Sequence, residues 1–161
     1  MLVPAILYKE EIVKSMQEYF YTTDMLYETG SIANWTPEIV DCPSESQFQY
    51  AIVDKNKKLV GFLGYWVDWY VSKAYNFGLF SFDRGNPTIG IDVLRELNYL
   101  IKKCRVHRIE YNMISGNSVE NHYDKFCYHY GGKKIFLTDV LKDREGNYHN
   151  CVIYEIIFYN N

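Results

Sequence analysis

The spacing of apolar residues changes from a strand-like period to a helix-like period across one short breaker, residues 84 to 87. Before it, residues 75 to 83 are rich in aromatic and apolar side chains that alternate as in a half-buried strand. After it, the helical spacing extends over residues 88 to 103. The apolar positions of this helix are Ile89, Val93, Leu94, Leu97, Leu100 and Ile101. A strand that runs into a helix in this way predicts a sheet with helices packed on it.

The predicted helix carries residue types that are typical of helix ends. Asn86 can act as the N-cap, and Pro87 suits the first helical position. Lys102 and Arg105 fall at the other end, where cations complement the helix dipole. We therefore interpret the basic run over residues 102 to 108 as a helix end, with a phosphate site as the less favoured alternative.

The rest of the chain completes a mixed sheet. The predicted elements are a helix over 9–20, strands over 48–53 and 59–70, a strand over 108–114, a helix over 118–130 that ends at Gly131-Gly132, and closing strands over about 134–141 and 148–158. Residues 21 to 46 predict a loop with a short helix. A chain of 161 residues has room for one core, so we expect one domain over residues 1 to 161. The fold class is α/β (α+β), with a mixed, mostly antiparallel sheet flanked by helices.

Composition and charge exclude several classes of function. The net charge is -3, which leaves no electrostatic footprint for a nucleic acid or an anionic membrane. No segment has the roughly 18 to 20 apolar residues that cross a bilayer, and the first residues lack a secretion signal. The four cysteines and four histidines lack the spacing of a metal site. We expect a cytoplasmic protein with no metal, no nucleic-acid partner and no membrane partner.

Several short motifs follow one another between residues 88 and 132. The helix begins with Thr88-Ile89-Gly90-Ile91-Asp92-Val93, the next strand with Arg108-Ile109-Glu110-Tyr111, and Asn117, Tyr123-Asp124-Lys125-Phe126 and Gly131-Gly132 come after it. This order resembles the GNAT superfamily of acyl-CoA N-acyltransferases, over roughly residues 48 to 158. In that family a Gln/Arg-x-x-Gly-x-Gly/Ala loop opens the cofactor helix, and an Asn and a Tyr-Glu-Lys helix follow the next strand.

The resemblance implies acetyl-CoA as acyl donor and direct attack by a primary amine of an unidentified small molecule, protein or peptide. It implies that Tyr123 is the general acid and that main-chain groups of the strand and loop hold the donor. Glu110 is our candidate base, with Asp83 as a second candidate. The candidate donor-binding residues are Phe80, Ser81, Phe82, Arg84, Gly85, Asn86, Thr88, Ile89, Gly90 and Asn117. A homodimer through the closing strands is a further expectation.

Two positions depart from the family pattern. If Gly90 takes the last Gly of the loop motif, Thr88 takes its first Gly. Tyr123 follows Asn117 by six residues, where the family commonly has seven, so the helix face that it occupies stays open. Because of these departures we retain a second hypothesis, in which the domain binds acyl-CoA or a partner and has weak turnover.

The aromatic content of the chain supports a different class of function. Sixteen Tyr, nine Phe and three Trp could belong to an aromatic-rich β-domain that binds a sugar or peptide. That hypothesis requires little helix over 88–103 and 117–130. Within the acyltransferase hypothesis, some aromatic residues could line an acceptor pocket or pack in the core. These residues are Tyr21, Tyr27, Trp35, Trp66 and Trp69.

Overall fold

The structure is a computed structural model that describes residues 1–22, 38–42, 44–143 and 145–159. Within these residues the helices are a 3-10 turn (Ala5–Tyr8), α1 (Lys9–Thr22), α2 (Pro87–Lys102) and α3 (Glu120–His129). The strands are β1 (Leu2–Pro4), β2 (Gln47–Val53), β3 (Leu59–Asp68), β4 (Lys73–Ser81), β5 (Arg108–Ile114), β6 (Lys133–Lys142) and β7 (Tyr148–Ile157). The predicted helices and strands are confirmed to within a few residues, and β1 was missed because three residues are too few to show a period. The short helix predicted within residues 21 to 46 falls largely on residues outside the described part.

The seven strands form one sheet in the order β1-β2-β3-β4-β5-β7-β6. Every neighbouring pair is antiparallel except β4 and β5, which are parallel. The predicted mixed, mostly antiparallel sheet is therefore confirmed. β6, one of the two closing strands, lies at an edge of this sheet. The homodimer through the closing strands stays a prediction.

Side chains of the sheet alternate between two cores. On one face, Ile12 and Met16 of α1 pack with Phe62 and Phe80, and all four are almost completely buried. On the other face, α2 and α3 cover residues such as Leu63, Ile109, Tyr111 and Val152. Helices are thus present over most of 88–103 and 117–130, so the hypothesis of an aromatic-rich β-domain is wrong.

The cap residues explain where α2 begins. The Asn86 side chain accepts a hydrogen bond from the N–H of Thr88 at 3.0 Å, and Pro87 occupies the first helical position, as the sequence predicted. Gly85 precedes the cap with φ of +81°, a backbone conformation that favours glycine. At the end of α3, Gly131 has φ of +68°, which confirms the predicted stop.

Strands β4 and β5 separate soon after they meet. Their paired residues are Lys73 with Arg108 and Ala74 with Ile109, and no further pair joins these two described strands. Asn76 has φ of +54° where the β3–β4 register shifts, so β4 carries a bulge just after this pairing. A bulge bends its strand, and beyond it β4 stays paired with β3 while β5 stays paired with β7. The sheet therefore opens as a wedge between β4 and β5.

Within the described ranges, no helix combines the length and apolar character that crossing a membrane requires. In the same ranges, no three His, Cys, Asp or Glu side chains come together as metal ligands would. The four cysteines are free thiols.

Candidate active site

A cavity of about 590 Å³ fills the wedge between β4 and β5. Its inner wall is apolar and comes from the sheet and α2, with Leu63, Phe77, Leu79, Val93, Leu97 and Met113. Its outer wall contains exposed residues of two loops, Arg84 and Gly85 before α2 and Gly116 and Ser118 after β5. The cavity is thus mostly apolar with polar residues in its outer wall, as small-molecule sites commonly are.

Five of the predicted site residues line this cavity. They are Ser81 at the end of β4, Arg84 and Gly85 in the next loop, Asn117 after β5, and Tyr123 on α3. They come from three segments that are separate in sequence. Glu110, Phe80, Phe82, Asn86, Thr88, Ile89 and Gly90 are not part of the cavity wall.

The end of β4 presents main-chain groups to the cavity side. Phe82 donates its N–H to the carbonyl of Val60 at 2.9 Å, so this residue faces β3. Main-chain groups alternate in direction along a strand, so those of Leu79 and Ser81 face the β5 side. The Phe80 side chain lies in the α1 core with no exposed surface. Any contact between Phe80 and a ligand in the wedge therefore excludes its side chain.

The start of α2 satisfies its own main-chain donors. Thr88 donates to the Asn86 side chain at 3.0 Å, Ile89 donates to the Asn86 carbonyl at 3.2 Å, and Pro87 has no N–H. The Asn86 amide in turn donates to Asp83 at 2.9 Å. The N–H groups of Thr88 and Ile89, two of the candidate donor-binding residues, are therefore held by the cap. Arg84 and Gly85 are the residues of this loop that reach the cavity.

Tyr123 occupies the face of α3 that lines the cavity, which settles the question left by its spacing from Asn117. Its ring lies 5.0 Å from the ring of Tyr111 and 6.5 Å from that of Tyr154. The Tyr111 hydroxyl donates to the Tyr123 carbonyl at 3.3 Å, which fixes the helix against β5. Burial raises the pKa of Tyr123 to about 12. Its hydroxyl therefore stays protonated at neutral pH, and the same rise makes it a weaker proton donor than an ordinary tyrosine.

A partly buried polar network holds α3 at this position. Lys134 of β6 donates to Glu120 at 2.7 Å and contacts Asp124 at 2.8 Å. It therefore links β6 to α3, and Asp124 is the residue that follows Tyr123. Glu120 also accepts from the N–H of Gly116 at 2.6 Å, in the loop that lines the cavity. The α3 N-terminus has no side-chain cap, and these contacts stabilise it instead. Sequence reasoning missed Lys134, because the partners lie on different elements and no local spacing joins them.

Glu110 lies on β5 but outside the cavity wall. Its carboxylate contacts Lys73 at 3.0 Å and Arg108 at 2.8 Å. Burial would raise its pKa, but the hydrogen bonds from Lys73 and Arg108 outweigh burial and lower the pKa overall. A carboxylate held in this way is a weak proton acceptor. Its role as base stays a prediction, and the contacts favour a structural role.

Asn112 is a cavity residue that sequence reasoning missed. It lies on β5 two residues after Glu110, and it lines the wedge. Its Oδ1 atom is buried and accepts no hydrogen bond from the part of the chain that the structure describes. Asn112 falls in the polar half of an alternating strand, with Arg108 and Glu110, so the sequence pattern does not distinguish it. Only the fold shows that it borders a cavity.

The aromatic candidates for an acceptor pocket are not in the cavity wall. Trp66 is 37% exposed and Trp69 is 45% exposed, and Trp69 donates to the carbonyl of Glu45. Tyr27 and Trp35 lie outside the described residues, as does the side chain of Tyr21.

Comparison with known proteins gives matches in structure alone. No family model and no curated protein sequence matches the chain. A crystal structure of the spermidine/spermine N-acetyltransferase SpeG from Vibrio cholerae is similar at 16% identity with a TM-score of 0.56, over 71% of this chain and 66% of that one. A chimera of that SpeG with hSSAT is similar at 17% identity with a TM-score of 0.56, over 71% of this chain and 69% of that one. At this level of identity the likeness concerns the fold, and the chain has the GNAT fold.

Proposed function

We propose that this protein is an N-acetyltransferase that transfers an acetyl group from acetyl-CoA to a primary amine. The observation that supports the proposal most is the wedge between β4 and β5, with Tyr123 in its wall. The wedge has the volume and the mostly apolar lining of a site for an organic ligand, with polar residues of two loops in its wall. The GNAT fold supports the same reaction class.

The residues that line the wedge fit an acyl-CoA along most of the length of that molecule. The apolar wall suits an acyl chain and a pantetheine arm, and the main-chain groups of Leu79 and Ser81 can bind the amides of that arm. Arg84 offers a cation to the phosphates. The amides of Thr88 and Ile89 can join only if the Asn86 cap opens. Four other candidate residues lie outside the cavity wall, and we assign them a supporting role around the site. They are Phe80, Phe82, Asn86 and Gly90.

When bound, acetyl-CoA supplies a thioester carbonyl that an amine can attack. The carbon gains a bond to nitrogen and loses its bond to sulfur, while the amine loses one proton and the thiolate gains one. Main-chain N–H groups at the β4 edge would stabilise the negative charge on oxygen. Tyr123 would donate its proton to the sulfur, and Asn117 lines the same cavity.

The acceptor belongs to the class of primary amines. The similar structures include enzymes described as spermidine N-acetyltransferases, which supports an amine nucleophile. A lysine-like amine has a pKa of about 10.4, so a base or a water path is needed at neutral pH. Glu110 and Asp83 remain the candidate bases. A small molecule and a peptide amine are both compatible with the open side of the cavity.

A direct experiment separates transfer from binding. Calorimetry with acetyl-CoA measures binding, and release of free thiol in the presence of spermidine, a lysine-bearing peptide and benzylamine measures transfer. We expect binding together with thiol release for at least one of these amines. Absence of acetyl-CoA binding would overturn the proposal. Binding without thiol release would favour the alternative of a domain with weak turnover, which the occupied amides of α2 also support.

A further inference from the structure

We infer that the side chain of Asn112 binds the attacking amine, with its carbonyl oxygen accepting an N–H of the acceptor. This inference rests on the proposed function and assigns the amine's place within the wedge. It makes Asn112 a substrate-binding residue that selects for a nucleophile with an N–H group.

The first argument is the missing hydrogen bond. Asn112 Oδ1 is buried and has no donor among the described residues, although the residue lines the cavity. A buried carbonyl without a donor costs free energy, and folded proteins seldom retain one without a reason. The terminal torsion of an asparagine is broad, so the carbonyl can turn into the cavity when a donor arrives. A bound N–H would remove the cost.

The second argument is the side of the sheet from which Asn112 approaches. Its neighbours Tyr111 and Met113 face the core beneath α2 and α3, the side on which Tyr123 lies. Strand alternation turns Asn112 to the opposite side. The cavity therefore has a proton donor on one side of the sheet and an unpaired acceptor on the other.

This arrangement matches the needs of the reaction. The nucleophile approaches a thioester carbonyl from one face of its plane, while the sulfur departs in another direction. Tyr123 would serve the departing sulfur, so the amine belongs on the side of Asn112. A neutral carbonyl accepts one N–H of the amine and leaves the nitrogen lone pair for the attack. The proton that nitrogen loses on bond formation goes to a base or to water, since an amide oxygen does not retain it.

The pantetheine arm is the other source of an N–H in this wedge, and an NMR titration distinguishes the two. The side-chain NH2 signal of Asn112 is followed while n-butylamine is added to the protein at pH 9, with and without CoA. The n-butyltrimethylammonium ion, which has no N–H at any pH, is the matched control. We expect n-butylamine to shift the signal in the CoA-bound protein, and CoA alone to shift it less. A large shift with CoA alone, or no shift with n-butylamine, would overturn the inference.

Kinetics and stability of Asn112→Leu complete the test, with Asn121→Leu on the exposed side of α3 as control. We expect Asn112→Leu to raise KM for the amine about five- to tenfold and to leave KM for acetyl-CoA unchanged. Its melting temperature should be equal to or above that of the wild type, because an unpaired buried carbonyl is removed. A rise in KM for acetyl-CoA would contradict the inference, whereas loss of acetyl-CoA binding by the wild type would contradict the proposed function itself.

Discussion

The ammonium nitrogen of Lys134 on β6 lies 2.7 Å from the Oε1 atom of Glu120 at the start of α3. Both side chains are mostly buried, with exposed fractions of 21% and 16%. Asp124 contacts the same ammonium one turn later, and Tyr154 donates to Asp124 at 2.5 Å. A closing strand is thus tied to the helix that presents Tyr123 to the cavity. The position of the candidate acid depends on a cation 11 residues further along the chain.

Replacing Lys134 with Met should therefore lower both stability and activity. Two carboxylates lose their shared partner, and we expect a loss of about 1 to 2 kcal/mol in the free energy of unfolding. The turnover number should fall as the α3 start loosens, while Lys134→Arg retains most of both properties. Urea unfolding and the thiol-release assay measure the two effects. Unchanged stability in Lys134→Met would show that the network is unimportant.

Replacing Tyr123 with Phe should lower kcat about tenfold with little change in KM for acetyl-CoA. Phenylalanine lacks the hydroxyl, which is the group of Tyr123 that can donate a proton, and it keeps the ring that packs on Tyr111. Tyr128→Phe is a matched control, since Tyr128 lies on the same helix and is 62% exposed. Equal rates for both variants would remove Tyr123 from the mechanism.

The pH dependence of the reaction follows from the raised pKa of Tyr123. Its pKa of about 12 keeps the hydroxyl protonated throughout the range from pH 6 to pH 10. The rate should therefore rise with pH as the amine loses its proton, and it should not fall again below about pH 10. A profile of kcat/KM against pH tests this. A decline between pH 8 and pH 10 that Tyr123→Phe abolishes would mean that the hydroxyl ionises much earlier.

Replacing Glu110 with Gln separates a structural role from a role as base. The pKa of Glu110 is below its ordinary value, so the stabilisation is present above about pH 4.5 and is lost as the pH falls through the folded-state pKa. We expect the variant to lose about 0.5 to 1 kcal/mol at pH 7, and less as the pH falls below 4. If the role is structural, kcat stays within about threefold of the wild type. A drop of a hundredfold or more in kcat would identify Glu110 as the base.

Replacing Asn86 with Ala tests whether the start of α2 contacts the phosphates. Loss of the cap should cost about 1 kcal/mol without ligand, and Asn86→Ser should retain most of the stability. If the freed N–H of Thr88 binds a phosphate, saturating CoA should reduce the difference between Asn86→Ala and wild type. Thermal unfolding with and without CoA measures this. A difference that CoA leaves unchanged would exclude Thr88 from the phosphate site.

Local patterns in the sequence predicted most of the elements of the fold. The periods of apolar residues gave the helices and the longer strands, and Asn86, Pro87 and Gly131 predicted helix ends that the structure confirms. These features depend on residues a few positions apart, whose preferences act before any tertiary contact forms. The strand β1 was missed because its three residues become a strand only by pairing with β2.

The candidate site depended on contacts between distant segments. The wedge arises because β4 bends at Asn76 while β5 follows β7, and no single segment encodes that separation. The same is true of the pairing of Glu110 with Lys73, and of the unpaired carbonyl of Asn112, which is unusual only once the surrounding strands are in place. The sequence by itself determined which segments become helices and strands, because those preferences are local. The tertiary structure decided which side chains share a cavity and which are neutralised by a partner, because burial and charge pairing exist only after distant segments pack together.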